Sequence, residues 1–413
     1  MFLDAASYCC YSTYVLLVLA KAIGMVSEDK LNLLAAAADY DVCGDCGSRR
    51  NNSPLRFIYN ASVPGKGTVP LFKVLLTNYC VNDCVYCVNQ AGRDIPRSSF
   101  QPDELAKTFM ALYDKKLVIG LFLSSGIKND ASRTMEAMLN TTEILRQRYD
   151  FSGYIHLKIM PGAPFDCVEE SCKLANRVSV NIESPSLEYL AKLTSKKNLY
   201  TDILERMRWV KQIASRNDKL IPSGQTTQFV AGGAGESDLD LIRMTDSLYR
   251  GMGLRRVYYS AFTPIIEGME PGPLIREHRL YQTDWLMRVY GFSFNEVELA
   301  LNRAGNLPFT KNPKLVIAMR QPWLFPIDIN QATYDELIRV PGIGPIAANR
   351  IIEARKEHRI NSMQPLKKMR VLTGVAAPFI WFKGMERPAR QLSLFGEMDE
   401  EEEKVPEREV VNV

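Results

Sequence analysis

Leu71-Phe-Lys-Val-Leu-Leu-Thr-Asn-Tyr-Cys80-Val-Asn-Asp-Cys84-Val-Tyr-Cys87 joins a hydrophobic run to three cysteines spaced C-x3-C-x2-C. The run reads as a buried strand, and the cysteines as the loop that leaves its C-terminal end. Thiolates this closely spaced in one loop can wrap an iron–sulfur cube. Three ligands rather than four leave one iron open to another molecule. A zinc site or buried free thiols are the alternatives. Zinc normally closes with four ligands, and this stretch lacks the paired C-x2-C knuckles of zinc ribbons. Nine cysteines in 413 residues, clustered in close pairs and triples, fit metal ligation in a reducing compartment better than a disulfide framework. Only three histidines are present, which argues against a histidine-rich metal site.

Downstream, short hydrophobic runs alternate with amphipathic stretches as far as about Thr263. Strands are expected at 71–76, 117–123, 153–160, 177–182, 225–230 and 255–259. Helices are expected between them, at 102–113, 132–148, 186–192 and 200–215, with another at 26–39. Six strands with helices between them predict a parallel α/β array. Periodicity leaves an open barrel and a doubly wound sheet equally available. After about Arg276 the strand signal fades and the chain reads as helical, punctuated by prolines.

With the aromatic Tyr86 ahead of its last cysteine, the triad resembles the signature of the radical S-adenosylmethionine (SAM) superfamily. The resemblance implies a 4Fe-4S cluster on Cys80, Cys84 and Cys87, with SAM chelating the open iron. It further implies that an electron, supplied by an external donor, splits SAM to a 5′-deoxyadenosyl radical able to abstract hydrogen from unactivated carbon. The fold it implies is α/β, a partial (β/α)6 radical SAM barrel with its chemistry at the C-terminal strand ends.

Ser124, Ser125 and Gly126 end the second expected strand, where family members carry a Gly-Gly-Glu-like turn for the methionine amino group. The departure from Gly-Gly-Glu leaves that work to small residues and backbone carbonyls. Glu183 follows the fourth strand and resembles a polar position that contacts SAM; a charge at a helix N-terminus is the other reading. Gly232-Gly-Ala-Gly-Glu236 follows the fifth and resembles the glycine-rich stretch beside SAM, which makes Gly233 and Glu236 candidates. A plain turn is its alternative. His156 and Lys158 either line the cavity or sit in core or surface positions. Cys43 and Cys46 are open between an auxiliary role and plain thiols. Cys167 and Cys172, at helical spacing, read as core.

A second signature runs from Asp328 to Ile352. Thr333-x-x-Glu336 is a capping box for a helix ending near Val340. Pro341-Gly-Ile-Gly344 forces a tight turn, and Pro345 suits the first position of the next helix. Glycines at 342 and 344 let backbone N–H groups approach an anion at the positive end of that helix. The segment resembles a helix-hairpin-helix module, a sequence-independent binder of the DNA backbone. Gly342, Ile343, Gly344 and Arg350 are then candidate DNA contacts, with Arg350 and Arg355 each either beside the phosphates or at the solvated surface. Lys367 to Val375 resembles a degenerate second hairpin packed on the first. A turn used only for folding or protein contacts is the alternative.

Together with Tyr40-Asp41 and Gly153-Tyr-Ile-His-Leu-Lys-Ile159, these motifs resemble a family of DNA modification or repair radical SAM proteins over roughly residues 25–384. That resemblance implies DNA as substrate and a uracil-DNA-glycosylase-like partner. Spore photoproduct lyase is a more distant likeness, through the cysteines alone. Two rival functions stay open: a radical SAM enzyme acting on RNA, and a non-enzymatic DNA-binding protein with a structural cluster.

The expected organisation is a leader of doubtful translation (1–24), a helical segment (25–70), the barrel (71–276), a helical connection (277–325), an all-α helix-hairpin-helix domain (326–388) and an acidic tail (389–413). Hydrophobic content of 46% and charged content of 24% are those of a globular protein, and the apolar stretch at 14–20 is too short to span a membrane. A cytoplasmic location is expected. The net charge of +4 includes about −6 within residues 397–409, leaving about +10 elsewhere, a balance compatible with a polyanionic partner. In the tail, Gln391, Leu392, Leu394 and Phe395 resemble the peptide that docks on the bacterial sliding clamp, with a solvated tail as the alternative.

Overall fold

A computed structural model describes residues 27–38, 57–63, 67–266 and 268–382. Cys43, Cys46, Tyr40-Asp41 and the clamp-like Gln391–Phe395 peptide lie outside them. The chain divides into two compact units, one of residues up to Glu236 with Ser247–Gly272, the other of Ser237–Asp246 with the chain from Pro273 onward.

The first unit is built on one sheet. Its strands are β1 (Ile58–Val63), β2 (Gly67–Leu75), β3 (Gly120–Ser124), β4 (Tyr154–Lys158), β5 (Arg177–Ser179), β6 (Gln225–Ala231) and β7 (Arg256–Ala261). They lie side by side in chain order. β1 pairs antiparallel with β2, and every later pair is parallel. A doubly wound sheet reverses its strand order part-way along. Here the order never reverses, so each connection moves one way round and the sheet curls into a half-barrel. The six parallel strands are the expected ones, and the hairpin strand β1 is additional to them.

Helix α1 (Glu28–Ala37) precedes the sheet, and α2 (Pro102–Asp114), α3 (Ala131–Glu143), α4 (Phe165–Leu174), α5 (Leu187–Leu193) and α6 (Glu205–Arg216) fill the crossovers. α3 begins where Asp130 accepts from the Arg133 N–H at 2.8 Å, and runs on as one π turn, Ile144–Arg148. Parallel strands covered on one side by helices bury apolar side chains, and Leu121, Leu123, Ile155, Leu157 and Val178 are fully or almost fully enclosed. Cys167 and Cys172 are buried on α4, and burial pushes their thiols up to about 11 and about 12. Among the described residues no helix is long and apolar enough to cross a membrane.

The second unit is helical. It holds the start of α7 (Asp238–Met252), then α8 (Leu274–Arg288), α9 (Phe294–Glu298), α10 (Pro313–Arg320), α11 (Tyr334–Arg339), α12 (Pro345–Glu357), α13 (Met363–Lys368) and α14 (Thr373–Ala376). The capping box forms as expected: Thr333 accepts from the Glu336 N–H, and Glu336 reaches back to the Thr333 N–H at 2.7 Å. Leu337, Val340, Ile343, Ala348, Ile351, Leu366 and Ala376 share one core, so the two hairpins pack as a unit. Gly342 sits at φ +84°, and a Cβ there would lie 2.7 Å from the Leu372 carbonyl oxygen of the second hairpin. Glycine is therefore required at 342 by backbone angle and packing, before any ligand is considered. Arg355 corrects the expectation for it: its guanidinium donates to the Ile329 and Ala332 carbonyls, tying the hairpin to the preceding loop. Arg350, Lys367, Lys368 and Arg370 are exposed.

Lys314, on α10, is buried beneath the hairpin turn. Its ammonium donates to the Ile343 carbonyl at 2.5 Å and lies 4.7 Å over the Tyr290 ring. Burial, with Arg339 nearby, lowers its pKa to about 7, while Arg339 is itself paired with Glu296 at 2.7 Å. Between that value and the ordinary lysine range the unfolded chain binds the extra proton, so stability rises with pH. From pH 7 to 9 the second unit should gain about 2 kcal/mol that Lys314→Met does not gain. Denaturant unfolding of both proteins at the two pH values measures the difference, and parallel slopes would refute it.

Candidate active site

The cysteine loop leaves β2 and is tied down from three sides. Val81 N–H donates to the Ile127 carbonyl at 2.8 Å, and Val85 N–H to Leu193 at 3.0 Å. The Asp83 carboxylate accepts from the Ser195 N–H and from the Thr194 and Ser195 hydroxyls. Those hydrogen bonds outweigh partial desolvation and hold the Asp83 pKa below the usual carboxylate value. Arg97 closes the far end, donating to the carbonyls of Asn78, Asn89, Gln90 and Arg93. Val85 and Tyr86 pack with Leu193, Val230 and Phe262. A loop pinned this way presents its thiols at fixed places.

Cys80, Cys84 and Cys87 all line one cavity at the C-terminal ends of the strands, and none forms a disulfide. Burial raises the Cys87 thiol to about 12, and the neighbouring Cys84 and Cys80 act the same way. Metal coordination deprotonates such a thiol outright. Among the described residues no three His, Cys, Asp or Glu side chains converge tightly enough for a single metal ion.

Of the other sequence candidates, the cavity gathers Ser125, Gly126 and Glu183. Ser124 is buried behind it, and Gly233 and Glu236 do not reach it. The Gly126 N–H donates to the Thr77 carbonyl at 2.7 Å, and a Cβ there would come within 2.3 Å of the Tyr79 oxygen. Glu236 turns inward and accepts from the Gly232 and Ala234 N–H groups, so its carboxylate shapes the glycine turn. Lys158 lines the cavity, whereas His156 is a core residue bonded to the Ser179 hydroxyl at 3.0 Å.

Several lining residues carried no local signal in the sequence: Asn89, Asn181, Lys197, Gln228 and Ser260. Lys197, its side chain largely enclosed, lies 3.2 Å from Glu183 Oε1 and 3.1 Å from the Tyr86 hydroxyl. Glu183 takes φ +65°, a left-handed angle that costs a non-glycine residue about 1–3 kcal/mol and recurs at functional sites. Its second oxygen, Oε2, and the side-chain amide oxygen of Asn89, Oδ1, are buried without hydrogen-bond partners. Buried polar atoms left open beside three thiols fit a polar ligand bound next to a cluster.

Residues 74–248 match the model of the radical SAM superfamily. The chain contains a radical SAM domain. Its cofactors are a 4Fe-4S cluster and SAM, and the residues of the cavity fit both. Residues 326–376 match the helix-hairpin-helix motif. The chain is also similar to solved structures of the FeFe-hydrogenase maturase HydG from Carboxydothermus hydrogenoformans (16% identity, 52% of this chain and 50% of that chain, TM-score 0.39). A second likeness is to methylornithine synthase PylB (14% identity, 65% and 72%, TM-score 0.40). The chain spans about half the length of the HydG structure it matches. No curated protein matches it.

Proposed function

We propose that this is a cytoplasmic radical SAM enzyme that acts on DNA, repairing or modifying a base or sugar. One observation carries the reading. The open carboxylate oxygen of Glu183 and the three thiols share a cavity at the strand ends, in a chain that also holds a helix-hairpin-helix motif. Bound there, cluster and SAM would supply reductive cleavage to a 5′-deoxyadenosyl radical for hydrogen abstraction.

The chain's own residues do the rest. Cys80, Cys84 and Cys87 hold the cluster; Ser125 and Gly126 offer backbone to the methionine end of SAM; Glu183 accepts from a SAM donor at its open oxygen. Lys158, Asn181, Gln228 and Ser260, which line the same cavity, face the substrate and keep bulk water out. The hairpin, through Gly342, Ile343, Gly344 and Arg350, holds the DNA by its phosphates. Division at about residues 276 and 326, with Gln391, Leu392, Leu394 and Phe395 docking on a sliding clamp and a glycosylase-like protein as neighbour, completes the reading.

Anaerobic incubation with SAM, a low-potential reductant and damaged or native DNA, followed by mass spectrometry of nucleosides, tests it. DNA-dependent 5′-deoxyadenosine together with an altered nucleoside is the expected result. Equal or stronger turnover on RNA of the same sequence would move the substrate to RNA. No SAM cleavage by the reduced holoprotein would leave a structural cluster.

A further inference from the structure

Lys197 is a cationic group in the cavity wall beside the cysteines, and its surroundings fix it there. Its side chain is 9% exposed and that of Glu183 6%. The ammonium bonds Glu183 Oε1 and the Tyr86 hydroxyl, and lies 5.7 Å from the centre of the Tyr86 ring. Tyr86 stands between two of the three cysteines in the chain. The segment carrying Lys197 is clamped to the same loop, because Asp83 accepts from Thr194 and Ser195. Cation and thiols are therefore parts of one rigid assembly.

Burial alone would strip the proton from Lys197. The ion pair with Glu183 and the hydrogen bond to the Tyr86 hydroxyl oppose that and keep the ammonium in place. A fixed positive charge in a low-dielectric wall acts strongly on charge that appears nearby. Charge balance and exposure around an iron–sulfur cluster set its reduction potential.

We propose that Lys197 is a positioning residue that tunes the cluster, raising its reduction potential so that one electron from a low-potential donor converts the 2+ cube to the 1+ state. No bond breaks in that step and no proton moves. Glu183 is the counterweight: it holds the ammonium in place and cancels part of its field. This rests on the assignment of Cys80, Cys84 and Cys87 as cluster ligands.

The test is a potentiometric titration of the reconstituted full-length protein, followed by the EPR signal of the reduced cluster, without SAM or DNA. Lys197→Met should lower the equilibrium constant for reduction at least tenfold, which for one electron is about 59 mV toward more negative potential. Lys197→Arg keeps the charge and should titrate close to the wild type. Glu183→Gln leaves the ammonium unopposed and should shift the potential the other way. A merely structural Lys197 would move none of these in opposite directions. An unchanged potential in Lys197→Met overturns the proposal. Should that variant bind no cluster, Glu183→Gln decides, and a shift downward or none overturns it. Failure of the wild type to hold a cluster would instead sink the ligand assignment.

Discussion

Cys84→Ala is expected to emerge from anaerobic reconstitution colourless, with iron near background and no detectable 5′-deoxyadenosine from SAM. Cys84 is the most buried of the three thiols, 4% exposed, and sits at the centre of the loop. Its carbonyl accepts from the Cys87 N–H at 3.1 Å, so the backbone turn that aims Cys87 survives the substitution and only the thiol is lost. A cube left with two protein ligands has a second exposed iron and is open to solvent and oxidants. Cys172→Ala is the control. It removes a thiol of similar burial from α4, away from the cavity, and leaves a small void but an intact cluster site. Iron content and the visible spectrum of the two variants, compared with the wild type, check the expectation. A brown Cys84→Ala protein that still cleaves SAM would remove Cys84 from the ligand set.

Much of the barrel is legible in the sequence, because parallel strands covered by helices appear as continuous apolar runs with amphipathic stretches between them. β1 escapes that reading: Ile58-Tyr-Asn-Ala-Ser-Val63 is no continuous apolar run, its alternation of Tyr59, Ala61 and Val63 with Asn60 and Ser62 is short, and it becomes a strand because β2 folds back beside it. β5 is shorter than expected, ending at Ser179. Beyond it the chain stays beside β6 through the Val180 N–H to the Thr226 carbonyl, the Ile182 N–H to the Thr227 hydroxyl and the isolated pairing of Glu183 with Phe229, while Asn181 and Glu183 line the cavity. The cysteines are legible for a different reason, since one loop carries all three and their spacing is the site. Lys197 is not: it meets Tyr86 across 111 residues of chain, and no local pattern announces a contact made between two loops. Arg97 lies ten residues past the last cysteine of the triad, yet its four carbonyl partners exist only once the loop has closed. With Glu236 the motif was visible but the direction of the side chain was not, because a carboxylate near exposed amides satisfies its own turn first.

The two glycines of the hairpin should separate folding from DNA binding. Gly342 is at φ +84°, where a residue with a Cβ pays about 1–2 kcal/mol, and the added methyl would also press on the Leu372 carbonyl at 2.7 Å. That carbonyl is backbone, and the Leu372 N–H already bonds the Gly342 oxygen at 2.9 Å, so neither side yields easily. Gly342→Ala is therefore expected to loosen the second unit, and any loss of DNA binding by it says little about phosphates. Gly344 differs. It caps α12 at φ −105°, an ordinary angle, and a Cβ would meet only the Tyr290 hydroxyl at 3.1 Å, the far end of a side chain that can shift. Gly344→Ala should keep its fold and melting temperature. Its methyl would nonetheless be added at the N-cap of α12, on the approach a phosphodiester oxygen would take to the first-turn N–H groups. Loss of one hydrogen bond to a charged oxygen is worth about 1.5–3 kcal/mol, so duplex affinity should fall at least about tenfold, equally for unrelated sequences. Arg350→Ala, made beside it, should reduce the salt dependence of binding by about one phosphate contact. Fluorescence anisotropy with two unrelated duplexes over a range of salt measures both. A folded Gly344→Ala protein that binds duplex as tightly as the wild type would assign the turn to folding or protein contacts and leave DNA without its anchor.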